Sequence, residues 1–316
     1  MKQLFAFLAA AALAVPAAHA QLSSCATAGN DNGFLNIQTI RLWAGDAPEA
    51  KGKACEDIPT LTIVAPRKGT ENGAAVVINP GGAYRGLAGD LEGGEVAHWF
   101  AARGVKAFIL SYRLTSHGYV LPVPLLDARR AVQLIRSRAK EFQVSPDRIG
   151  MIGFSAGGHL AALAGTQFVA GKPDAADPVE RVSSRPDFLI LGYPWLGALS
   201  SDSSHLSYCQ IFGLMDRCEA LRAAYTPALF VSKEMPPVFL YHTTADKTVP
   251  VEQAIEFYNA LLKNGVPAEM HIFANGAHGS GLGKGDAALD QWPNLLENWL
   301  RAQGLLTVDK AAPGAK

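Results

Sequence analysis

Arg148-Ile-Gly-Met-Ile-Gly-Phe-Ser-Ala-Gly-Gly-His-Leu-Ala-Ala162 decides the fold of this chain. Its apolar run, residues 149–154, is short and unbroken, as in a strand buried on both faces. Ser155 ends the run, and the small residues from Ala156 onward continue as a helix would. Gly153-Phe-Ser-Ala-Gly157 therefore reads as a G-x-S-x-G turn, a strained strand-to-helix corner that lifts a serine above a sheet edge. Glycine suits positions 153 and 157 because strand and helix nearly touch there and a side chain would collide. The turn leaves the Ser155 hydroxyl at the amino end of a helix, where unpaired N–H groups favour negative charge.

The flanking chain repeats this strand-then-helix rhythm. Residues 37–43 alternate in polarity, residues 61–64 form a short apolar run, and residues 74–78 read as a fully buried strand. Residues 95–103 place Val96, Trp99 and Phe100 at helical spacing before Gly104, and residues 106–112 return to a strand. A proline-bearing loop at 117–124 precedes a helix predicted over 127–142, with its arginines on an exposed face. Further strands are expected at 188–192, 237–241 and 268–273, and further helices at 251–262 and 289–302. Such alternation specifies an α/β fold, a mostly parallel sheet with helices on both faces. Residues 195–234 break the rhythm, which predicts a short lid-like insertion over the strand ends or a pocket wall.

Met1-Lys2, an apolar stretch at 4–14 and Ala18-His19-Ala20 have the layout of an export signal. The expectation is a signal peptide over 1–20, a secreted or periplasmic protein, and one domain over 21–316. The whole chain carries 28 basic and 28 acidic residues, so loss of Lys2 with the signal leaves a charge of −1. That balance argues against nucleic acid or an anionic membrane as partner. Cys25, Cys55, Cys209 and Cys218 make an even set that favours disulfides in an exported chain. The simplest of three connectivities is Cys25–Cys55 with Cys209–Cys218. No Cys-x-x-Cys or paired Cys/His spacing suggests a metal.

A serine hydroxyl becomes a useful nucleophile beside a base, and the base needs an orienting carboxylate. Around a G-x-S-x-G corner the partners follow in the order serine, acid, histidine. Asp246, after the strand at 237–241, and glycine-flanked His278, after that at 268–273, satisfy this order at the sheet edge where Ser155 emerges. His98 and His271 fall within a helix and a strand, His242 reads as a structural residue at a strand end, and His159 lies a turn past the serine, directed away. His117 and His205 are loop residues able to touch substrate. Asp286 and Asp290 follow His278, Asp187 precedes its strand, and Asp202 and Asp216 lie in the insertion. Asn79-Pro-Gly-Gly-Ala-Tyr84, about 70 residues ahead of the corner, is where backbone N–H groups complete an oxyanion hole. Gly82, Ala83 and Ala156 are its candidate donors, and Tyr84 and Trp195 are candidate substrate contacts. This chemistry requires no cofactor or metal.

Taken together, Pro124-Leu-Leu-Asp-Ala-Arg-Arg-Ala131, the Ser155 corner, Asn79-Pro-Gly-Gly-Ala-Tyr84 and the Asp246 and His278 loops resemble a secreted α/β-hydrolase family. Its members include acetyl xylan esterases and bifunctional acetyl/feruloyl esterases, and the similarity spans roughly residues 37–302. Ala83 stands where that family commonly has a third glycine. The resemblance implies a serine esterase that deacylates plant polysaccharide. Two other readings are a broad carboxylesterase for small aliphatic or polyester substrates, and a non-catalytic relative that binds a carbohydrate or a protein.

Overall fold

All eight strands reproduce the predicted runs to within two residues, and those at Ala75–Asn79, Ile149–Phe154, Leu189–Gly192 and Val238–Thr243, in the middle of the sheet, have no exposed position at all. The structure, a computed structural model, describes residues 38–197 and 207–307. Its strands are β1 (Gln38–Arg41), β2 (Thr60–Val64), β3 (Ala75–Asn79), β4 (Lys106–Ser111), β5 (Ile149–Phe154), β6 (Leu189–Gly192), β7 (Val238–Thr243) and β8 (Ala268–Phe273). They form one 8-stranded sheet in the order β1-β2-β4-β3-β5-β6-β7-β8. The pairs β1–β2 and β2–β4 are antiparallel, and every later pair is parallel. β3, β5, β6 and β7 are buried along their whole length, as expected of a parallel sheet covered on both faces.

The helices are α1 (Glu95–Ala101), α2 (Val123–Ser137), α3 (Ala139–Phe142), α4 (Ser155–Thr166), α5 (Tyr208–Ile211), α6 (Cys218–Tyr225), α7 (Val251–Lys263) and α8 (Trp292–Ala302). Side chains alternate across each strand, so the sheet has two cores. Val77, Met151, Leu191 and Leu240 pack under α2, α4 and α7. Ile78, Ile152, Ile190 and Phe239 pack under α1 and α8. No helix among the described residues is long and apolar enough to cross a membrane.

The structure corrects the helix predicted over 127–142. It begins earlier, with Pro124 in its first turn, where a missing N–H costs nothing, and it breaks at Arg138. Its arginines are not turned to solvent. Arg130 is 5% exposed, donates to the Leu42 carbonyl (2.9 Å) and pairs with Asp177 (2.7 Å). Arg136 pairs with Asp187 (2.8 Å). Long apolar stems let these side chains cross the core edge and deliver their charge to a partner. A single π-helical turn, Gly89–Gly94, also lies outside the sequence reading.

The insertion after Trp195 is described from residue 207. Cys209 and Cys218 are bridged, joining α5 to the start of α6. The Tyr208 hydroxyl meets Thr115 Oγ1 (2.8 Å) and accepts from the Leu121 N–H (3.1 Å), which seats this segment on the core. Cys55 is not free, but Cys25 lies outside the described residues, as do the signal segment, Asp202 and His205.

The chain leaving β4 is tied to α2 by an internal ion pair. Arg113 meets Asp127 through Nη2 (2.7 Å) and Nε (3.0 Å), its backbone N–H adds a third bond (2.9 Å), and both side chains are buried. Removing one partner strands a buried charge. Asp127→Ala should therefore lower the unfolding free energy by about 3–5 kcal/mol in denaturant titration. Replacing both residues with apolar ones, as Arg113→Met with Asp127→Leu, should recover most of that loss.

Candidate active site

The serine corner is built by forbidden volume. A Cβ on Gly153 would lie 2.1 Å from the Gly157 carbonyl oxygen, and one on Gly157 would lie 2.1 Å from that of Asn79. Strand β5, helix α4 and the end of β3 meet with no room for a methyl group. The backbone turns there through Ser155, at φ 51°, a left-handed conformation that costs a non-glycine residue about 1 kcal/mol or more. Ser155 becomes the first residue of α4, with its side chain above the sheet edge.

Three side chains predicted from strand ends converge at this point. His278 Nε2 lies 2.8 Å from Ser155 Oγ, and His278 Nδ1 lies 2.7 Å from Asp246 Oδ2. The other carboxylate oxygen of Asp246 accepts the N–H groups of Thr248 (2.8 Å) and Val249 (2.9 Å). Burial alone would push the Asp246 carboxyl up. The bonds from His278, Val249 and Thr248 outweigh burial and hold it below the ordinary carboxylate range. An anionic Asp246 can only accept, so the imidazole proton belongs on Nδ1 and Nε2 is left to accept the Ser155 proton.

The Asn79–Tyr84 segment runs along the same corner. A Cβ on Gly81 would lie 2.9 Å from Ser155 Cβ. Gly82 (φ 131°), Ala83 (φ 54°) and Tyr84 (φ 58°) all adopt positive φ, closed by a bond from Arg85 N–H to the Gly82 carbonyl (2.9 Å). Ala83 thus takes the left-handed shape that a glycine would take freely. The N–H groups of Gly82 and Ala83 have no acceptor among the described residues. The Ala156 N–H sits in the first turn of α4, where no carbonyl lies four residues back to receive it.

The two predicted substrate contacts are corrected. Tyr84 is 0% exposed, its hydroxyl bonds His159 Nδ1 (2.8 Å), and its ring meets Tyr112 and Tyr208 edge-on. The left-handed backbone at 84 turns the side chain into the core. Trp195 is 7% exposed and belongs to the core under α4 and α7, while its N–H donates to the Ser155 carbonyl (2.9 Å). It anchors the start of the insertion to the serine corner.

Two residues that the sequence reading missed also lie here. Buried Glu92, in the π-helical turn, accepts from the Gly81 N–H (2.6 Å) and the Tyr193 hydroxyl (2.7 Å). The Tyr193 ring rests edge-on against His278, centroids 5.0 Å apart. No local pattern marks either residue, because each acts through partners distant in the sequence.

The fold, the serine corner and its neighbouring loops define a class, which comparison with known proteins makes specific. The BD-FAE family model matches residues 61–183, and the prolyl oligopeptidase family model matches residues 207–304. A solved acetyl ester-xyloside bifunctional hydrolase from Caldicellulosiruptor lactoaceticus is 35% identical, with TM-score 0.75, over 85% of this chain and 97% of that one. The acetylxylan esterase of Xylanibacter ruminicola is 31% identical over 73% of this chain and 46% of its own length. A Thermogutta terrifontis esterase solved with propionate is 27% identical, with TM-score 0.68, over 85% of this chain and 95% of that one. The chain belongs to the α/β-hydrolase esterase family. It spans about half the length, or less, of the curated relatives it matches.

His159 supplies a test of how this neighbourhood is held. It is fully buried, with Nδ1 facing the Tyr84 hydroxyl and Nε2 facing the Tyr225 carbonyl (3.1 Å), and burial lowers its pKa to about 4. The unfolded chain binds a proton at this residue from its ordinary value of 6.5 downward, and the folded state does not. His159 therefore withdraws stability as pH falls from about 6.5 to about 4, by about 3 kcal/mol in all. His159→Gln should flatten the fall of Tm across that window. An unchanged slope would place the acid sensitivity elsewhere.

Proposed function

We propose that this protein is an exported serine esterase that removes acetyl or feruloyl groups from decorated xylan or its oligosaccharides. The observation that carries the reading is the hydrogen-bonded chain Ser155–His278–Asp246 set beside the unpartnered N–H groups of Gly82 and Ala83. In this reading Ser155 Oγ attacks the ester carbonyl as its proton passes to His278 Nε2. The developing oxyanion is met by the N–H groups of Ala156 and of Gly82 or Ala83. Collapse expels the sugar hydroxyl, which takes its proton back from Nε2 and leaves an acyl group on Ser155. Water then repeats the sequence and frees the acid. Asp246 holds the imidazole and offsets the charge it gains.

The substrate class rests on likeness. An acetylxylan esterase and an acetyl ester-xyloside hydrolase are among the similar proteins. A relative solved with propionate favours a second reading, a broad carboxylesterase for small aliphatic esters. Export rests on the residue pattern of positions 1–20, and the Cys209–Cys218 bridge suits an oxidising compartment.

Ser155→Ala and His278→Ala should each lower kcat on p-nitrophenyl acetate by about 10⁴-fold or more, and the double variant should be little worse. Additive losses would show that the two side chains do not act as one unit. Wild-type protein should release acetate or ferulate from xylan. Turnover confined to short aliphatic esters would favour the second reading.

A further inference from the structure

Glu92 is 3% exposed, and among the described residues it has no Lys or Arg partner. Isolating a carboxylate in this way is expensive, so its surroundings should show what it is kept for. The π-helical turn that carries it is pinned to the oxyanion segment by a bond from Ala88 N–H to the Gly81 carbonyl (2.9 Å). Such turns are rare and recur at functional sites. From there Oε2 takes the Gly81 N–H at 2.6 Å and Oε1 takes the Tyr193 hydroxyl at 2.7 Å. Tyr193 in turn accepts the Gly281 N–H at 2.9 Å. The Gly281 carbonyl is held by the Tyr241 hydroxyl (2.8 Å) and Trp292 Nε1 (3.2 Å).

One carboxylate thus stands between two loops. On one side is the residue before Gly82 and Ala83. On the other, through Tyr193, is the loop of His278, whose ring Tyr193 also touches. The contact leaves no slack, since a Cβ on Gly81 would lie 2.7 Å from Glu92 Oε2, 2.8 Å from the Phe154 carbonyl oxygen and 2.9 Å from Ser155 Cβ. Both partners suit the ionised form. Gly81 N–H can only donate, and Tyr193, which accepts from Gly281, has its own proton free to donate to Oε1.

We propose that Glu92 is a positioning residue that fixes the oxyanion loop relative to the His278 loop, so that the acyl-transfer step depends on it far more than substrate binding does. The proposal rests on the esterase reading and extends it. The charged or titratable groups facing this carboxylate are Tyr193, Tyr112 and Tyr241, together with His278, which favours the anion once it carries the Ser155 proton. Burial pushes the Glu92 carboxyl up against these partners, so the ionised form is held by geometry at a cost. Losing the carboxylate would let the Gly82 and Ala83 peptides drift while Ser155, His278 and Asp246 keep their own bonds.

The test uses the full chain, p-nitrophenyl acetate, and phenylboronic acid as a mimic of the tetrahedral adduct on serine. Glu92→Gln should lower kcat about 10²-fold, the scale of losing one oxyanion donor, with KM little changed. Its affinity for the boronic acid should fall in step with kcat. Tyr193→Phe should lower kcat less, and the double variant should be no slower than Glu92→Gln alone, because the two act in series. A raised KM with unchanged kcat, or additive losses in the double variant, would overturn the proposal. If Glu92→Gln shows no cooperative melting, Tyr193→Phe carries the test alone, since it deletes a single hydroxyl, and wild-type kcat there would also overturn it. Ser155→Ala, run in parallel, separates the two ideas. Activity surviving in Ser155→Ala would remove the esterase reading and this proposal with it, whereas an inactive Ser155→Ala beside wild-type kcat in the Glu92 and Tyr193 variants would remove this proposal alone.

Discussion

Two backbone contacts govern the centre of this protein: Gly153 against the Gly157 carbonyl, and Gly157 against the Asn79 carbonyl. Each leaves space for hydrogen and nothing larger. A methyl group at either place would push α4 off β5 or off the end of β3, and the three would no longer meet at one corner. Because they do meet, a serine in a left-handed turn, the free N–H of a helix start and the oxyanion segment occupy one small volume. The sheet supplies the rest by its order. β7 and β8 lie beyond β5 and β6 in a parallel run, so the loops that leave them rise at the same edge and bring Asp246 and His278 to the serine.

That explains which parts were legible in the sequence. Strands buried on both faces appear as unbroken apolar runs, and Ser155, Asp246 and His278 each stand just past the end of one. That the three side chains would meet could be read from position along the chain. Glu92 could not. It lies in Asp90-Leu-Glu-Gly-Gly94, which looks like a solvated turn, and its partner Tyr193 is 101 residues away. The arginines of α2 misled for a related reason. Helical periodicity places Arg130 opposite the apolar stripe, but Leu42 and Asp177 come from elsewhere in the chain to receive its guanidinium. Aromatic residues beside a motif invited the opposite error. Tyr84 and Trp195 were read as contacts for a ligand, and the structure spends both rings on packing, one because its backbone is left-handed and one because it anchors the insertion.

The insertion shows the same economy. It breaks the strand-and-helix rhythm in sequence, yet its Tyr208 and the Tyr225 carbonyl reach the core at Thr115 and His159. His159 in turn holds Tyr84, the residue that closes the oxyanion segment. A neutral imidazole suits that position, since it accepts from one neighbour and donates to the other without carrying charge into the interior. The oxyanion segment is therefore braced from two sides, by the Glu92 carboxylate at Gly81 and by His159 at Tyr84.

Two carboxylates near one imidazole would ordinarily compete for it, and here their surroundings separate them. Asp246 touches the ring and gains two backbone N–H groups besides, so its charge is favoured despite burial. Glu92 meets no ring nitrogen and receives a peptide N–H and a phenol, and burial raises its pKa instead. Asp246 therefore meets the His278 ring directly, whereas Glu92 reaches the His278 loop only through Tyr193. Ser155, His278 and the Gly82–Ala83 peptides come from separate segments of the chain, and in the reading proposed above a short anion between two of those segments holds their separation more tightly than apolar packing could, because a hydrogen bond specifies direction as well as distance.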